Sequence, residues 1–390
     1  MKKNTKALHT NFPQKDPYGS ISMPVYHTAA YEFEDADVMA DAFCNRVIMP
    51  DYSRVLNPTV MFFEDKVKAL TEATDVIAFN SGMAAISNTF LAIAGTGKNI
   101  VTSRHLFGNT YGLLTKTLAR FGVETRFCDM TSADDVERHT DDNTCCLFLE
   151  IITNPQMEVA DLKALSQIAR AHGIPLIADS TTIPLTEFHA KNLGVDIEIV
   201  SSTKYLSGGA TSLGGLIIDY GTAKGFREKI RFEMLFNLGA YMTPHAAYMQ
   251  ALGLETLDVR YKTQAATALR LAQRLKDVPQ IKKVNYIGLE ENPYYQLARE
   301  QFGPTSGAMF TIDLADEEAC KRFINSLKLI IRATNLFDNQ SLAIHPYTTI
   351  FGPYSPEEKK AMDVFDTTIR ISVGLEDADD LYNDIMQALA

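Results

Sequence analysis

A lysine stands between an apolar strand pattern and a glycine pair in Ile199-Val200-Ser201-Ser202-Thr203-Lys204-Tyr205-Leu206-Ser207-Gly208-Gly209. Lysine seldom ends a buried strand unless its amine is paired or does chemistry. Upstream, a second apolar run, Ile174 to Ala178, ends in Asp179. One strand end thus offers an amine and another a carboxylate. A third run, Val76 to Phe79, leads into Asn80-Ser81-Gly82-Met83 and then a helical pattern from Ala84 to Ala94. Gly82 lets the backbone approach a ligand closely, and the start of a helix favours an anion. Ser201 and Thr203, on either side of Ser202 and next to Lys204, add hydroxyl donors.

Taken singly, each feature has an ordinary explanation. Ser-Gly between a strand and a helix is a common turn, Asp after a strand is commonly a helix cap, and a lysine beyond a strand is commonly solvated. Together they match the needs of one cofactor, pyridoxal 5'-phosphate. Its aldehyde is held by a lysine as a Schiff base, its ring nitrogen stays protonated beside an acid, and its phosphate needs hydrogen-bond donors. Lys204 is the candidate for the Schiff base and, once displaced by a substrate amine, for shuttling protons. Asp179 is the candidate partner of the ring nitrogen.

The elements that must position these groups follow from the patterning. Residues 1 to 58 read as irregular, with Pro13, Pro17, Pro24, Pro50 and Pro58 interrupting any long element. Strand patterns at 75–79, 99–103, 123–128, 145–151, 174–179, 197–201 and 214–219 alternate with helical patterns at 60–71, 83–94, 109–121, 132–138, 160–172 and 185–192. Such alternation predicts an α/β domain with a mainly parallel sheet covered on both faces. Ligands bind such sheets near the carboxyl ends of the strands, where Ser81, Asp179 and Lys204 all fall. One long helical stretch at 244–277 then leads to a smaller α+β domain. Its strands are expected near 282–287, 307–313, 328–333 and 368–373, and its helices near 315–327 and 377–390. The expected divisions are an arm over 1–58, a large cofactor-binding domain over 59–245 and a small domain over 246–390.

The whole chain bounds what else it can be. Its 390 residues allow one large domain with an appendage, or two domains, and the composition is that of an ordinary globular protein. A formal net charge of -11 argues against a general nucleic-acid binder. No apolar run is long enough to span a membrane, and Met1-Lys2-Lys3-Asn4-Thr5 is not followed by the apolar core of a secretory signal. The 5 cysteines, Cys44, Cys128, Cys145, Cys146 and Cys320, are irregularly spaced with no Cys-x-x-Cys pair, which fits reduced thiols in the cytoplasm. The histidines form no metal-binding signature.

Four segments, in order and across nearly the full length, carry a family resemblance: Tyr52-Ser53-Arg54-Val55-Leu56-Asn57-Pro58-Thr59, Ser81-Gly82-Met83-Ala84-Ala85, Ser201-Ser202-Thr203-Lys204-Tyr205, and Arg370-Ile371-Ser372-Val373-Gly374-Leu375-Glu376-Asp377. The chain resembles the Cys/Met-metabolism family of pyridoxal-phosphate enzymes, the group similar to cystathionine γ-synthase. The resemblance implies the aspartate-aminotransferase-like transferase fold called type I. It also implies a homotetramer of catalytic dimers, with active sites at the dimer interface. Tyr52 and Arg54 match residues that reach a neighbouring subunit's phosphate. Ser81, Gly82, Met83, Ser201 and Thr203 match the phosphate cradle, Asp179 the ring-nitrogen partner, and Asn154 a residue near the ring hydroxyl. Arg370 matches the arginine that grips an amino-acid carboxylate, as a fixed guanidinium does in bidentate fashion. Ser341 matches a loop that lines the substrate pocket near Arg370.

The chain also departs from the family pattern. Phe107-Gly108-Asn109-Thr110 stands where most members show Tyr-Gly-x-Thr. A phenyl ring can stack on the cofactor but cannot move a proton, which disfavours expulsion of a thiol and favours an O-acyl ester, whose carboxylate leaves with less protonation. Tyr111 is an alternative source of a phenol. The segment Asn335 to Pro346 is more like O-acetylhomoserine sulfhydrylases than the Gly-Gly-x-Glu-Ser version of many lyases, although this chain is shorter than usual for that subgroup. Two readings stay open: γ-replacement on an O-acyl-homoserine by a sulfur nucleophile, and α,γ- or α,β-elimination from methionine, homocysteine or cystathionine. A silent protein that keeps the fold for binding is disfavoured by the retention of Lys204, Asp179, Arg370 and the cradle.

Overall fold

A computed structural model describes residues 2–10 and 16–390. Pro13, one of the expected breaks in the arm, and Met1 lie outside the described residues. The strands of the large sheet are β1 (Asp75–Phe79), β2 (Asn99–Thr102), β3 (Glu124–Phe127), β4 (Thr144–Glu150), β5 (Leu176–Asp179), β6 (Ile197–Val200) and β7 (Gly215–Asp219). Their order across the sheet is β1-β7-β6-β5-β4-β2-β3. β7 is antiparallel to both neighbours, β1 and β6, while the other pairings are parallel. Every strand but β7 therefore runs the same way, and the carboxyl ends of β1, β4, β5 and β6 meet the start of β7 along one edge.

Alternation along the strands divides the core into two layers. Ile77, Phe79, Phe148, Ile177, Ile199 and Ile217 pack on one face against Ile86 and Phe90 of the helix Gly82–Ile93. Val76, Ala78, Leu147, Leu149, Ala178 and Leu216 pack on the other, against Phe63, Val67 and Leu70 of the helix Pro58–Thr71. Those helices start where the sequence provides caps. Ser81 accepts from the Ala84 N–H and Asn57 from the Thr59 N–H, with Pro58 in the first turn of the second helix.

The smaller sheet holds β8 (Lys283–Asn285), β9 (Met309–Asp313), β10 (Ile331–Arg332), β11 (Leu342–Ile344) and β12 (Thr368–Ser372) in the order β10-β11-β12-β9-β8. β11, fully buried but three residues long, is too short to announce itself by periodicity.

Three expectations are corrected. The helix expected at 185–192 is a series of turns followed by a 3-10 turn at Ala190–Leu193, because Pro184 opens an isolated turn and Gly194 closes the segment in the left-handed region. The stretch 244–277 is two helices, Pro244–Glu255 and Leu257–Leu275, broken at Thr256. There the Gly253 carbonyl accepts from the Thr256 N–H and the Arg260 guanidinium instead of continuing the ladder. The arm is not wholly irregular, since it contains the helices Lys3–His9 and Ala36–Phe43. No helix among the described residues is long and apolar enough to cross a membrane.

Candidate active site

A cavity of about 860 Å³ opens at the edge where the strand ends converge. Lys204, Asp179, Phe107, Ser81, Gly82, Met83, Asn154, Ser201, Thr203 and Arg370, all singled out from the sequence, line this one cavity. The strand β5 delivers Asp179, the turn after β6 delivers Ser201 to Lys204, and the loop after β2 delivers Phe107.

The carboxylates form a coupled pair. Glu150 and Asp179 are in register on β4 and β5, and both line the cavity. Burial, reinforced by the Asp179 charge, pushes the Glu150 carboxyl well above its ordinary range, with the Phe107 N–H opposing. Burial also raises Asp179, but it accepts from the Thr181 N–H at 3.0 Å and is further stabilised by the Thr181 hydroxyl. Two adjacent buried carboxyls cannot both ionise cheaply. Glu150 is therefore the member that holds a proton, leaving the charge on Asp179. Glu150 also takes the Phe107 N–H, which ties the loop bearing the phenyl ring to β4. Its place at the end of an apolar strand is visible in the sequence, but nothing local shows that it pairs with Asp179.

In the same cavity, burial and the nearby Arg370 pull the Lys204 amine down to about 8, against the opposing charge of Asp338. Such an amine has an appreciable neutral fraction near physiological pH. Arg370 lies mid-strand in β12, 2% exposed. It donates to the carbonyls of Thr334 and Asn335 at 3.1 and 3.0 Å and, weakly, to Asn154 Oδ1 at 3.4 Å, while its Nε has no partner. Among the described residues no carboxylate pairs with it. A buried cation without a counter-ion costs several kcal/mol, so this wall is built to receive an anion.

At the cradle, a Cβ on Gly82 would lie 2.7 Å from the Ser201 Cβ, so only glycine lets the helix start close on the Ser201 turn. The Thr203 hydroxyl is engaged with Gly214, accepting from its N–H at 2.9 Å and donating to its carbonyl at 3.1 Å. It can serve an incoming phosphate only by giving up the second bond. The Ser212 hydroxyl, which also lines the cavity, is buried without a partner.

Other sequence candidates lie elsewhere. Ser341 is fully buried outside the lining, where its hydroxyl donates to Glu376 and accepts from the Gly374 N–H. Thr334, Asn335 and Leu336 line the cavity beside Arg370 instead. Tyr111 points away from the cavity, stacked on Phe127 with ring centroids 5.3 Å apart and edge-on to Tyr354. It is not the replacement phenol of its own site. Tyr52 and Arg54 do not line this cavity, and the Arg54 guanidinium sits over the Tyr52 ring and donates to the Phe236 carbonyl. The amine, the charged carboxyl, the glycine-permitted cradle and its unpartnered hydroxyl fit a pyridoxal phosphate. Lys204, Asp179, Ser81, Gly82, Met83, Ser201 and Thr203 are the residues suited to hold it.

Fold and cavity together are those of a pyridoxal-phosphate-dependent enzyme of fold type I. The family model for Cys/Met metabolism PLP-dependent enzymes matches residues 4–390, and the chain belongs to that family. It is 35% identical over 389 residues to the L-methionine gamma-lyase of Fusobacterium nucleatum subsp. nucleatum, covering 99% of this chain and 97% of that protein. It is 34% identical over 378 residues to the O-succinylhomoserine sulfhydrylase of Pseudomonas aeruginosa, covering 97% and 93%. A crystal structure from Campylobacter jejuni subsp. jejuni, described as an O-acetylhomoserine (thiol)-lyase with N'-pyridoxyl-lysine-5'-monophosphate, superposes over 100% of both chains. Its TM-score is 0.97 and its identity 32%.

Proposed function

We propose that this enzyme catalyses γ-replacement on an O-acyl-homoserine, with O-acetylhomoserine the expected ester and sulfide or a thiol the nucleophile, in methionine and cysteine metabolism. The observation that carries this reading is the loss of the phenol from the place of the usual acid, the protonated carboxyl of the lining, Glu150, being tied instead to the Phe107 N–H at the end of β4. Phe107 occupies the place of the usual phenol, Tyr111 is turned away, and no tyrosine, histidine or cysteine is among the described lining residues. A departing thiolate needs a proton donor, whereas a departing carboxylate does not.

Bound in the cavity, the cofactor supplies an electron-withdrawing ring that stabilises negative charge on the carbon bearing the substrate amine. Asp179 would keep the ring nitrogen charged, Phe107 would stack on the ring, and Asn154 would serve the ring hydroxyl. Arg370 grips the substrate carboxylate. The Lys204 Nζ, once free, would take the α proton, hand it on to the substrate–cofactor framework, and, neutral again, take a β proton. The apolar side chains of Phe107, Leu336 and Ile350 exclude water from the γ carbon.

Elimination from methionine or cystathionine is the second reading, favoured by the similarity to proteins named L-methionine gamma-lyase. Product analysis by mass spectrometry on methionine, cystathionine, O-acetylhomoserine and O-succinylhomoserine, with and without sulfide, separates the two. Rapid release of methanethiol and 2-oxobutyrate from methionine, with O-acetylhomoserine ignored, would reverse the ranking.

The assembly proposed is a cytoplasmic homotetramer of catalytic dimers, with the arm 1–58 reaching a neighbour's large domain (59–245), and the small domain (246–390) closing each site. Exposed Ile21 and Ile48 of the arm, 99% and 60% accessible, support a surface meant to be covered. Mixing two variants, each inactive through a different residue of one shared site, tests it.

A further inference from the structure

Lys204 Nζ donates to Asn335 Oδ1 at 2.5 Å, and Asn335 Nδ2 donates to both carboxylate oxygens of Asp338, at 2.8 and 2.9 Å. An ionised carboxylate only accepts hydrogen bonds. Asp338 therefore dictates which way the Asn335 amide points, with nitrogen towards the acid and oxygen towards the lysine. Without that constraint the amide could rotate and turn its N–H groups on the amine.

The segment carrying this pair is fixed at several points. The Asn335 carbonyl accepts from Arg370, and the Asp338 carbonyl accepts from the buried Gln264 Nε2 at 2.7 Å. Between them, Phe337 has φ 62°, a conformation costing a non-glycine residue about 1–3 kcal/mol. Phe337 is held there by stacking on Tyr205, with ring centroids 4.1 Å apart and planes 9° from parallel, and by its N–H on the Ser372 hydroxyl. Tyr205 is the residue after Lys204, and Phe337 the residue before Asp338. The ring stack and the side-chain chain thus tie the same two backbone segments side by side.

We propose that Asn335 and Asp338 form a positioning pair for the Lys204 amine: the carboxylate orients the amide, and the amide oxygen holds one N–H of Nζ, leaving the nitrogen lone pair free for the cavity side. This rests on the reading of Lys204 as the cofactor-bearing lysine. The pair also sets when the amine is neutral. Arg370 and burial favour loss of its proton, Asp338 favours retention, and Asp179 and Glu150 line the same cavity. In this role Asp338 and Asn335 act through Lys204.

The test is a titration of Lys204 in the full-length protein freed of cofactor. The pH dependence of its acetylation by acetic anhydride is read by peptide mass spectrometry. Asp338→Asn keeps the shape and removes the charge. It is expected to lower the midpoint, with about a tenfold larger neutral fraction at a fixed pH below it. Asp338→Glu, which restores the charge, should recover most of the shift. An unchanged midpoint in a folded Asp338→Asn protein overturns the proposal. If that variant does not fold, Asn335→Leu removes the acceptor for Nζ together with the amide donor to Asp338. It too should lower the midpoint, because the charged amine loses a bond, and an unchanged value there is equally fatal. Borohydride reduction of the native protein with pyridoxal phosphate is a separate control. An adduct missing from Lys204 would sink the cofactor reading while leaving the titration result intact.

Discussion

Phe107 is the residue on which the choice of reaction turns. Its backbone is held by Glu150, so the ring position is built in rather than incidental. Restoring a hydroxyl at this point would supply the acid that thiol expulsion lacks. Phe107→Tyr is expected to raise the rate of thiol release from methionine or cystathionine by about a hundredfold, the low end for a positioned acid-base group. The replacement rate on O-acetylhomoserine should stay nearly constant. Equal rates of thiol release in both proteins would show that protonation is not limiting and would weaken the case for an ester substrate.

At the scale of elements, the loop after β2 is clamped from two sides. His105, two residues before Phe107, places Nδ1 on Glu158 at 2.5 Å and Nε2 on Asp363 at 2.8 Å. Asp363 ends a segment that also sets Tyr354 on the Gly108 carbonyl and contributes Thr349 and Ile350 to the cavity wall. Burial alone would lower the His105 pKa, but its hydrogen bonds and attraction to Glu158 and Asp363 raise it above 6.5. A raised folded value means that the clamp's contribution to stability is complete below about pH 6.5 and is lost as pH climbs through the folded pKa. The melting temperature of the native protein should therefore exceed that of His105→Gln by more at pH 6 than at pH 8.5. A gap independent of pH would remove His105 as the cause.

At the scale of the whole molecule, the open question is which chain completes the cradle. Tyr52 and Arg54 lie outside their own cavity, with Tyr52 45% exposed, which suits a role across an interface. Arg54→Ala and Lys204→Ala are each expected to be inactive alone. Mixed and allowed to exchange subunits, they should recover activity, because one site of the hybrid has both native residues. No recovery, with hybrids demonstrated by native mass spectrometry, would place Arg54 in its own chain's chemistry or in none.

Much of this was legible before any fold was known. Lys204, Asp179 and Ser81-Gly82 sit at strand ends because β-strands, turns and helix starts leave local signals: apolar runs, small hydroxyls and glycine. The alternation that revealed β1 to β7 is likewise local. What escaped the sequence depends on contacts far along the chain. Ser341 reads as a pocket residue by its neighbours, yet Glu376 and Gly374 draw it into the core. Tyr111 reads as an available phenol until Phe127 and Tyr354 enclose it. Glu150 becomes a proton holder only when strand pairing brings Asp179 beside it, and Asn335 meets Lys204 across 131 residues. The sequence determined which chemical groups this protein carries and on what kind of element, since propensity and periodicity act over a few residues. Tertiary structure alone decided which way each side chain faces and which charges coexist, because orientation, burial and electrostatics are set by neighbours that meet only when the chain folds.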